Sequence, residues 1–372
     1  MPALSIRIGI CWIYCYLLLN GPVTLNGQDQ QTVHEVLRQQ IGDAKLAMLF
    51  QGKTESQARQ WQGEFSTKLN ELLGSTTPPK RWETVIRSGK RLEDHTRYEI
   101  LLKSPGVPTL PVYLLIPSDG ISRGRPAVVA VHGHGDFGHH AVAGRHDLPE
   151  VAKAIQSANY DYGLQFVRRG YVVVCPCLIP FGDRVEQAKY GSDPCAVTFV
   201  RMMALGRVPI AENIRDIRWA VSFLQSRPEV NPENIGCAGL SYGGRMTMMA
   251  TAVEPRIKVA AISGALNLLQ ERTTLRYSCG LQIIPGLLKF GDYSEIASLI
   301  APRPVVWEMG DQDKLIVKDG WDEKFKQRLE LIYSAYQQPK HLLYDHFKGG
   351  HRWNGEIAFP LFDEVLKTRQ DN

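Results

Sequence analysis

Residues 231–253 read NPENIGCAGLSYGGRMTMMATAV, and the fold turns on how this run divides. NPENIGCAGL predicts a turn followed by a buried strand, YGGRMTMMATAV predicts a helix, and Ser241 falls on the junction. A strand that becomes a helix over one residue must bend sharply. Gly239 and Gly243 lack the Cβ atoms that would collide as the two arms fold past the bend, so the Ser241 side chain stands at its apex. That placement suits an exposed nucleophile. A tight turn with a capping serine accounts for the same five residues, so the rest of the chain has to decide.

Outward from this point, residues 126–347 alternate strand and helix. PAVVAVH is an apolar strand followed by a Gly-rich loop, VRRGYVVVCPC runs from a helix end into a buried strand, and NIRDIRWAVSFLQSRP is an amphipathic helix. After NIGCAGL come the strands KVAAISGA, RPVVWEMG and KHLLYDHF, with the helical DGWDEKFKQRLELIYSAY between the last two. Continuous apolar strands alternating with amphipathic helices predict an α/β fold of three layers, a mostly parallel sheet with helices on both faces. Upstream, WETVI, HTRYEILL and LPVYLLIP predict antiparallel strands at one edge of that sheet. Residues 28–80 carry apolar positions at helical spacing, such as Val33, Val36, Leu37 and Ile41, and end at Pro78-Pro79. They predict an N-terminal helical extension packed on a domain spanning residues 81–372. Residues 266–293 break the rhythm and suggest a lid or substrate loop.

A serine hydroxyl at neutral pH needs an imidazole to take its proton and a carboxylate to orient that imidazole. In sheets of this kind the groups follow in the order Ser, Asp or Glu, His, each beyond a strand end. GDQDKL after RPVVWEM offers Asp311 and Asp313. Asp313 is preferred, because the longer excursion lets its carboxylate turn back toward a neighbouring histidine, while Asp311 suits a turn or cap. KGGHRWNG after the last strand places His351 on a Gly-flanked loop; its competitor His346 lies within the strand-end alternation. Oxyanion donors are expected from the amide of Tyr242, at the start of the helix, and from that of His134 in HGHGDFG, where Gly133 and Gly135 allow close approach.

With HGHG, GLSYGG, GDQD and GGHRWNG in this order, the chain resembles the α/β-hydrolase superfamily. More narrowly, RRGYVVVCPCLIPFGDR, DIRWAVSFLQSRPEVNPENIGCAGLSYGG and GDYSEIASLIAPRPVVWEMGDQD resemble the branch that includes dienelactone hydrolases and bacterial acetyl xylan esterases. The likeness covers roughly residues 82–368. It implies Ser241 as nucleophile, Asp313 as acid and His351 as base of a serine carboxylic ester hydrolase that needs no cofactor or metal, acting on a small-molecule or carbohydrate ester. Where many relatives carry an Asp after the central strand, this chain has CPCLIP. A serine at 241 also sets it apart from the cysteine-nucleophile dienelactone hydrolases.

Two rival readings use the same residues. His132, His134, Asp136 and His139 in HGHGDFGHH approximate the H-x-H-x-D-H ligand pattern of metal-dependent hydrolases, with the last histidine two places out of register. A non-catalytic binding module on the same fold is the other, since fold does not imply function. Trp307 and Trp353 could stack on a sugar, though packing is the commoner use of such residues. Arg245, Glu271 and Arg272 could contact a polar substrate, with surface or ion-pair positions the plainer reading.

The 372 residues include 44% hydrophobic and 22% charged positions, enough for a large core. The net charge of +5 is spread along the chain, so nothing favours a nucleic-acid partner. Arg7 is the only charged residue before Asp29, and Ile8 to Leu19 is apolar throughout. Residues 1–27 therefore predict a secretory signal peptide, hence a secreted or periplasmic protein with no stable membrane partner unless the segment stays uncleaved as an anchor. Leu25 departs from the small-x-small cleavage pattern. Beyond this segment stand Cys175, Cys177, Cys195, Cys237 and Cys279, an odd number that suggests buried thiols and no disulfide framework.

Overall fold

The computed structural model describes residues 31–186, 193–275, 278–315 and 320–367. The signal segment expected at residues 1–27 lies outside them. The chain divides into two compact units, residues 1–40 and 41–372. Its helices are α1 (Val33–Gly42), α2 (Glu55–Leu73), α3 (His139–Val142), α4 (Pro149–Ala158), α5 (Tyr162–Arg168), α6 (Pro194–Ala204), α7 (Pro209–Gln225), α8 (Tyr242–Val253), α9 (Leu269–Leu275), α10 (Tyr293–Ser298), α11 (Trp321–Ala335) and α12 (Ala358–Lys367). Its strands are β1 (Glu83–Arg91), β2 (His95–Lys103), β3 (Leu110–Pro117), β4 (Arg125–Val131), β5 (Val172–Pro176), β6 (Val230–Leu240), β7 (Ile257–Ser263), β8 (Val305–Gly310) and β9 (Leu342–Phe347).

The strands form one sheet in the order β1-β2-β3-β5-β4-β6-β7-β8-β9. From β5 onward across the sheet all pairs are parallel, while β1, β2 and β3 add antiparallel pairs at one edge. Side chains alternate along each strand, and the two faces sort accordingly. Ala127, Val129 and Val131 of β4 enter the core that also holds Trp61 and Phe65 of α2, Trp219 of α7, Met249 of α8 and Phe325 of α11. Val128 and Ala130 enter the opposite core with Phe166 of α5 and Phe362 of α12. Both faces are thus covered, which makes every residue of β4 buried and explains its unbroken apolar run.

Helix α2 begins at a capping box, in which the Thr54 hydroxyl accepts from the Gln57 amide at 3.3 Å and the Gln57 side chain accepts from the Thr54 amide at 3.2 Å. Its buried Ala58, Trp61, Phe65, Leu69 and Leu73 recur at helical spacing and make it part of the main core.

Three expectations need correction. The NPEN segment is not a turn ahead of the strand: β6 reaches back to Val230, which pairs with Arg125 before the register shifts. Helix α7 is not a simple amphipathic helix, because Asn213, Arg215 and Asp216 on its polar side are buried as well. Their polar atoms are used inside the protein, Asp216 pairing with Arg184 at 2.5 Å and Asn213 donating to the Tyr242 hydroxyl at 2.8 Å. The described part of residues 266–293 is a packed segment: Leu266, Leu268, Leu281, Ile284 and Leu287 all enter the core.

Candidate active site

The strand order reverses around β4, whose neighbours β5 and β6 follow it in the chain, and this is where open α/β sheets leave a crevice beyond their carboxyl ends. Val131, the last residue of β4, pairs with Gly239 of β6. The loops leaving these two strands are therefore side by side. Leu240 pairs in turn with Ser263 of β7, and Gly310 of β8 with Phe347 of β9, so the sheet delivers all its parallel strand ends to one edge.

Ser241 occupies the single residue between β6 and α8, with φ 64° and ψ −123°. A non-glycine residue there costs about 1–3 kcal/mol, which the surrounding structure must supply. The Ser241 amide donates to the Ser263 carbonyl at 2.9 Å, and its own carbonyl accepts from the Arg245 amide at 2.9 Å. Close approach fixes the neighbouring glycines: a Cβ on Gly239 would run into the Gly243 backbone, and one on Gly243 into the Val131 carbonyl. Gly133, in the loop after β4, is equally tight, since its Cβ would lie 2.8 Å from the Leu240 carbonyl and 3.1 Å from the Ser241 Cβ. Among the described residues, the amides of His134 and Tyr242 donate to no backbone carbonyl.

Asp313 and His351 meet beyond β8 and β9. The His351 Nδ1 lies 2.7 Å from Asp313 Oδ2, and the second Asp313 oxygen accepts from the Leu315 amide at 2.8 Å. The two loops are stitched together, because the Asp311 amide donates to the Phe347 carbonyl at 2.9 Å and the Gln312 amide to the Gly349 carbonyl at 2.8 Å. Asp311 is exposed and accepts from the Gly349 amide at 2.9 Å, so it organises the histidine loop and leaves the imidazole to Asp313. His346 is exposed on β9. His351 Nε2 is buried and has no hydrogen-bond partner, the Ser241 hydroxyl included. Ser241 and His351 nonetheless line one cavity of about 420 Å³ together with Gly133, His134, Tyr160 and Leu240. A larger cavity of about 660 Å³, lined by Arg59, Arg218 and Arg303 among others, contains no such pairing of hydroxyl and imidazole.

Several supporting residues escaped the sequence reading. The Gly133 amide donates to the Tyr160 hydroxyl at 2.6 Å, and Tyr162, two residues on, donates to the Val131 carbonyl. Gly264 follows β7 at φ 60°, and a Cβ there would lie 2.6 Å from His351 Cε1. Glu308, fully buried in β8, accepts from the amides of Gly355 at 2.8 Å and Asn354 at 3.3 Å and so clamps the chain just past His351. Burial pushes its carboxyl up to about 7. A glycine or a glutamate inside an apolar run was visible, but the partners that give these residues their work are distant in sequence.

The histidines of HGHGDFGHH are not gathered into one ligand set: His132, His134, Asp136 and His139 form no common cluster. His132 has its ring between the Gly133 carbonyl at 2.8 Å and the Leu178 amide at 2.9 Å, and burial lowers its pKa to about 4, so it is a neutral bracket for two loops. His139 lies against His140 and Asp183. Trp307 and Trp353 are wholly buried, Trp353 stacking on Tyr162 with centroids 4.8 Å apart. Arg245 and Glu271 are also buried, contrary to a surface position; the Arg245 guanidinium lies 3.8 Å over the Tyr293 ring and hydrogen-bonds Asn267.

Sheet order, elbow and strand-end loops define an α/β-hydrolase fold. Residues 152–337 match the model of the dienelactone hydrolase family. A candidate hydrolase of Bacillus subtilis (strain 168), YtaP, is 30% identical over 281 residues, which are 74% of this chain and 88% of that protein. The chain belongs to the dienelactone hydrolase family. Among solved structures, a candidate acetyl xylan esterase from Bacteroides fragilis NCTC 9343 superimposes with a TM-score of 0.73 at 16% identity, covering 91% of this chain and 97% of that one. A glucuronoyl esterase from Solibacter usitatus gives a TM-score of 0.60 at 13% identity, covering 87% and 96%. These two share the fold.

Proposed function

We propose that this protein is a serine carboxylic ester hydrolase working through an acyl-enzyme. The observation that carries the reading is the meeting of the Ser241 elbow and the Asp313-bound His351 in one cavity. In this scheme His351 Nε2 takes the Ser241 proton as the hydroxyl attacks the ester carbonyl, and Asp313 holds the ring in the tautomer that leaves Nε2 free to accept. The oxyanion forms against the amides of Tyr242 and His134, the first strengthened by the positive end of α8. His351 then protonates the departing alcohol, and water repeats the route to release the acid.

The rotation that brings the Ser241 hydroxyl to Nε2 accompanies substrate binding, as catalytic hydrogen bonds often tighten only in the complex. For the substrate, a carbohydrate ester with a short acyl group is the reading favoured. Its support is that structural neighbours include an acetyl xylan esterase candidate and a glucuronoyl esterase, and that residues 1–27 read as an export signal. Hydrolysis of a chromogenic acetate by purified residues 28–372, beside Ser241→Ala, tests the chemistry. Turnover lost in the variant with its fold retained supports it; an equal rate in both proteins sinks it. Acetylated xylo-oligosaccharides then test the substrate class, and sequencing the mature N-terminus tests the export signal.

A further inference from the structure

A second group of reactive side chains borders the elbow and takes no part in the scheme above. His134, Cys195 and Cys279 bring a ring nitrogen and two sulfurs within 4.8 Å of one another. They come from three separate pieces of chain: the loop after β4, the second position of α6, and the segment following α9. Cys195 is 5% exposed and Cys279 7%, whereas His134 is open to solvent. The cluster is thus closed on its sulfur side and accessible from the imidazole side.

The other described cysteines have ordinary packing uses. Cys177 donates to the Phe181 carbonyl at 3.1 Å, Cys237 to the Thr247 hydroxyl at 3.6 Å, and Cys175 is enclosed in the core. Another cluster, His139, His140 and Asp183, is closed: both ring nitrogens of His140 are engaged, Nδ1 with the Tyr113 hydroxyl at 2.8 Å and Nε2 with Asp183 at 3.1 Å.

We infer that His134, Cys195 and Cys279 form a site for a divalent transition-metal ion of the zinc type. One neutral imidazole and two thiolates are a borderline-soft donor set, suited to zinc and unsuited to magnesium or calcium. Tetrahedral zinc, with Zn–S of about 2.3 Å and Zn–N of about 2.0 Å, spaces its ligand atoms about 3.5–3.8 Å apart, so a set already within 4.8 Å closes on the ion with small side-chain movements. Three protein ligands leave one position for water on the exposed side. The ion would fasten three segments of chain, adding to the packing of the Phe199 ring of α6 against Gly280. Its second effect rests on the function proposed above: the His134 ring would be held while the amide of the same residue serves the oxyanion, making the ion a positioning element outside the reaction itself.

The test is a Co²⁺ titration of the purified, reduced and metal-stripped protein. Expected are a single tight equivalent, a thiolate-to-cobalt charge-transfer band, visible bands of tetrahedral intensity and their bleaching by Zn²⁺. Mass mapping after alkylation should find Cys195 and Cys279 protected by zinc in the unaltered chain, a readout that needs no variant to fold. Cys195→Ser and Cys279→Ser should each lose the charge-transfer intensity of one thiolate and bind at least about tenfold more weakly. Absence of a thiolate band, an unchanged band in both variants, or a Cys195–Cys279 disulfide that forms equally fast with and without zinc overturns the site. Ser241→Ala should bind cobalt as the unaltered protein does, so a failed esterase assay and a failed metal site are read separately.

Discussion

Ser241 holds a left-handed backbone conformation that serine does not favour, and its side chain is the only hydroxyl lining the cavity beside the imidazole of His351 apart from Ser157 and Tyr160. Tyr160 already accepts from the Gly133 amide, and Ser157 donates within α4, which leaves Ser241 as the group positioned to react. Ser241→Ala should lower kcat by about 10⁴-fold or more with little change in KM. The two neighbouring acids should separate cleanly. Asp313→Asn removes the carboxylate 2.7 Å from His351 and permits the wrong imidazole tautomer, so a loss of about 10⁴-fold in kcat is expected. Asp311→Asn weakens the bond that the Gly349 amide donates and leaves the Asp313 carboxylate on His351, so it should cost far less. Steady-state kinetics of the three variants on one chromogenic ester decides; a larger loss at Asp311 than at Asp313 contradicts the assignment.

At the scale of elements, the sequence already carried the strands, because burial on both faces removes polar residues from β4 after Arg125 and from most of β6. It also carried the elbow, since only glycine tolerates the backbone contacts at 239 and 243. Helix α7 misled, because a polar residue reads the same whether it faces water or an internal partner such as Arg184 or Tyr242. Tyr160, Gly264 and Glu308 were equally silent, since each acts through a residue from another part of the chain. Gly264 offers the sharpest test of that kind of contact. Gly264→Ala places a Cβ against the His351 ring in a backbone region that alanine resists, so kcat should fall by roughly a hundredfold or more, beyond what the accompanying destabilisation explains. A variant with full activity and native melting would show that the ring tolerates displacement.

For the whole molecule, two buried groups couple stability to pH in opposite senses. His132 binds its proton less readily in the folded protein, about 4, than in the unfolded chain, about 6.5, so the stability it lends above pH 6.5 is lost as pH falls toward 4. Glu308 is raised from about 4.5 to about 7, so the folded state holds the proton more tightly and this contribution declines as pH rises across that window. Glu308→Gln removes the second titration, and its urea midpoint should rise more steeply between pH 4.5 and 7 than that of the unaltered protein. Parallel curves would refute the linkage. Helix α2 belongs to the same cooperative core: Phe65→Ala should cost about 3–5 kcal/mol in a single unfolding transition followed across the sheet domain.

The chemistry itself is best tested by covalent capture. A fluorophosphonate probe reacts with a serine only where a neighbouring base activates the hydroxyl and amides stabilise the adduct. Peptide mass mapping after labelling should place a single adduct on Ser241, abolished in Ser241→Ala and strongly slowed in Asp313→Asn. Labelling that settles on another residue, or none while the protein still hydrolyses esters, would contradict Ser241 as the nucleophile.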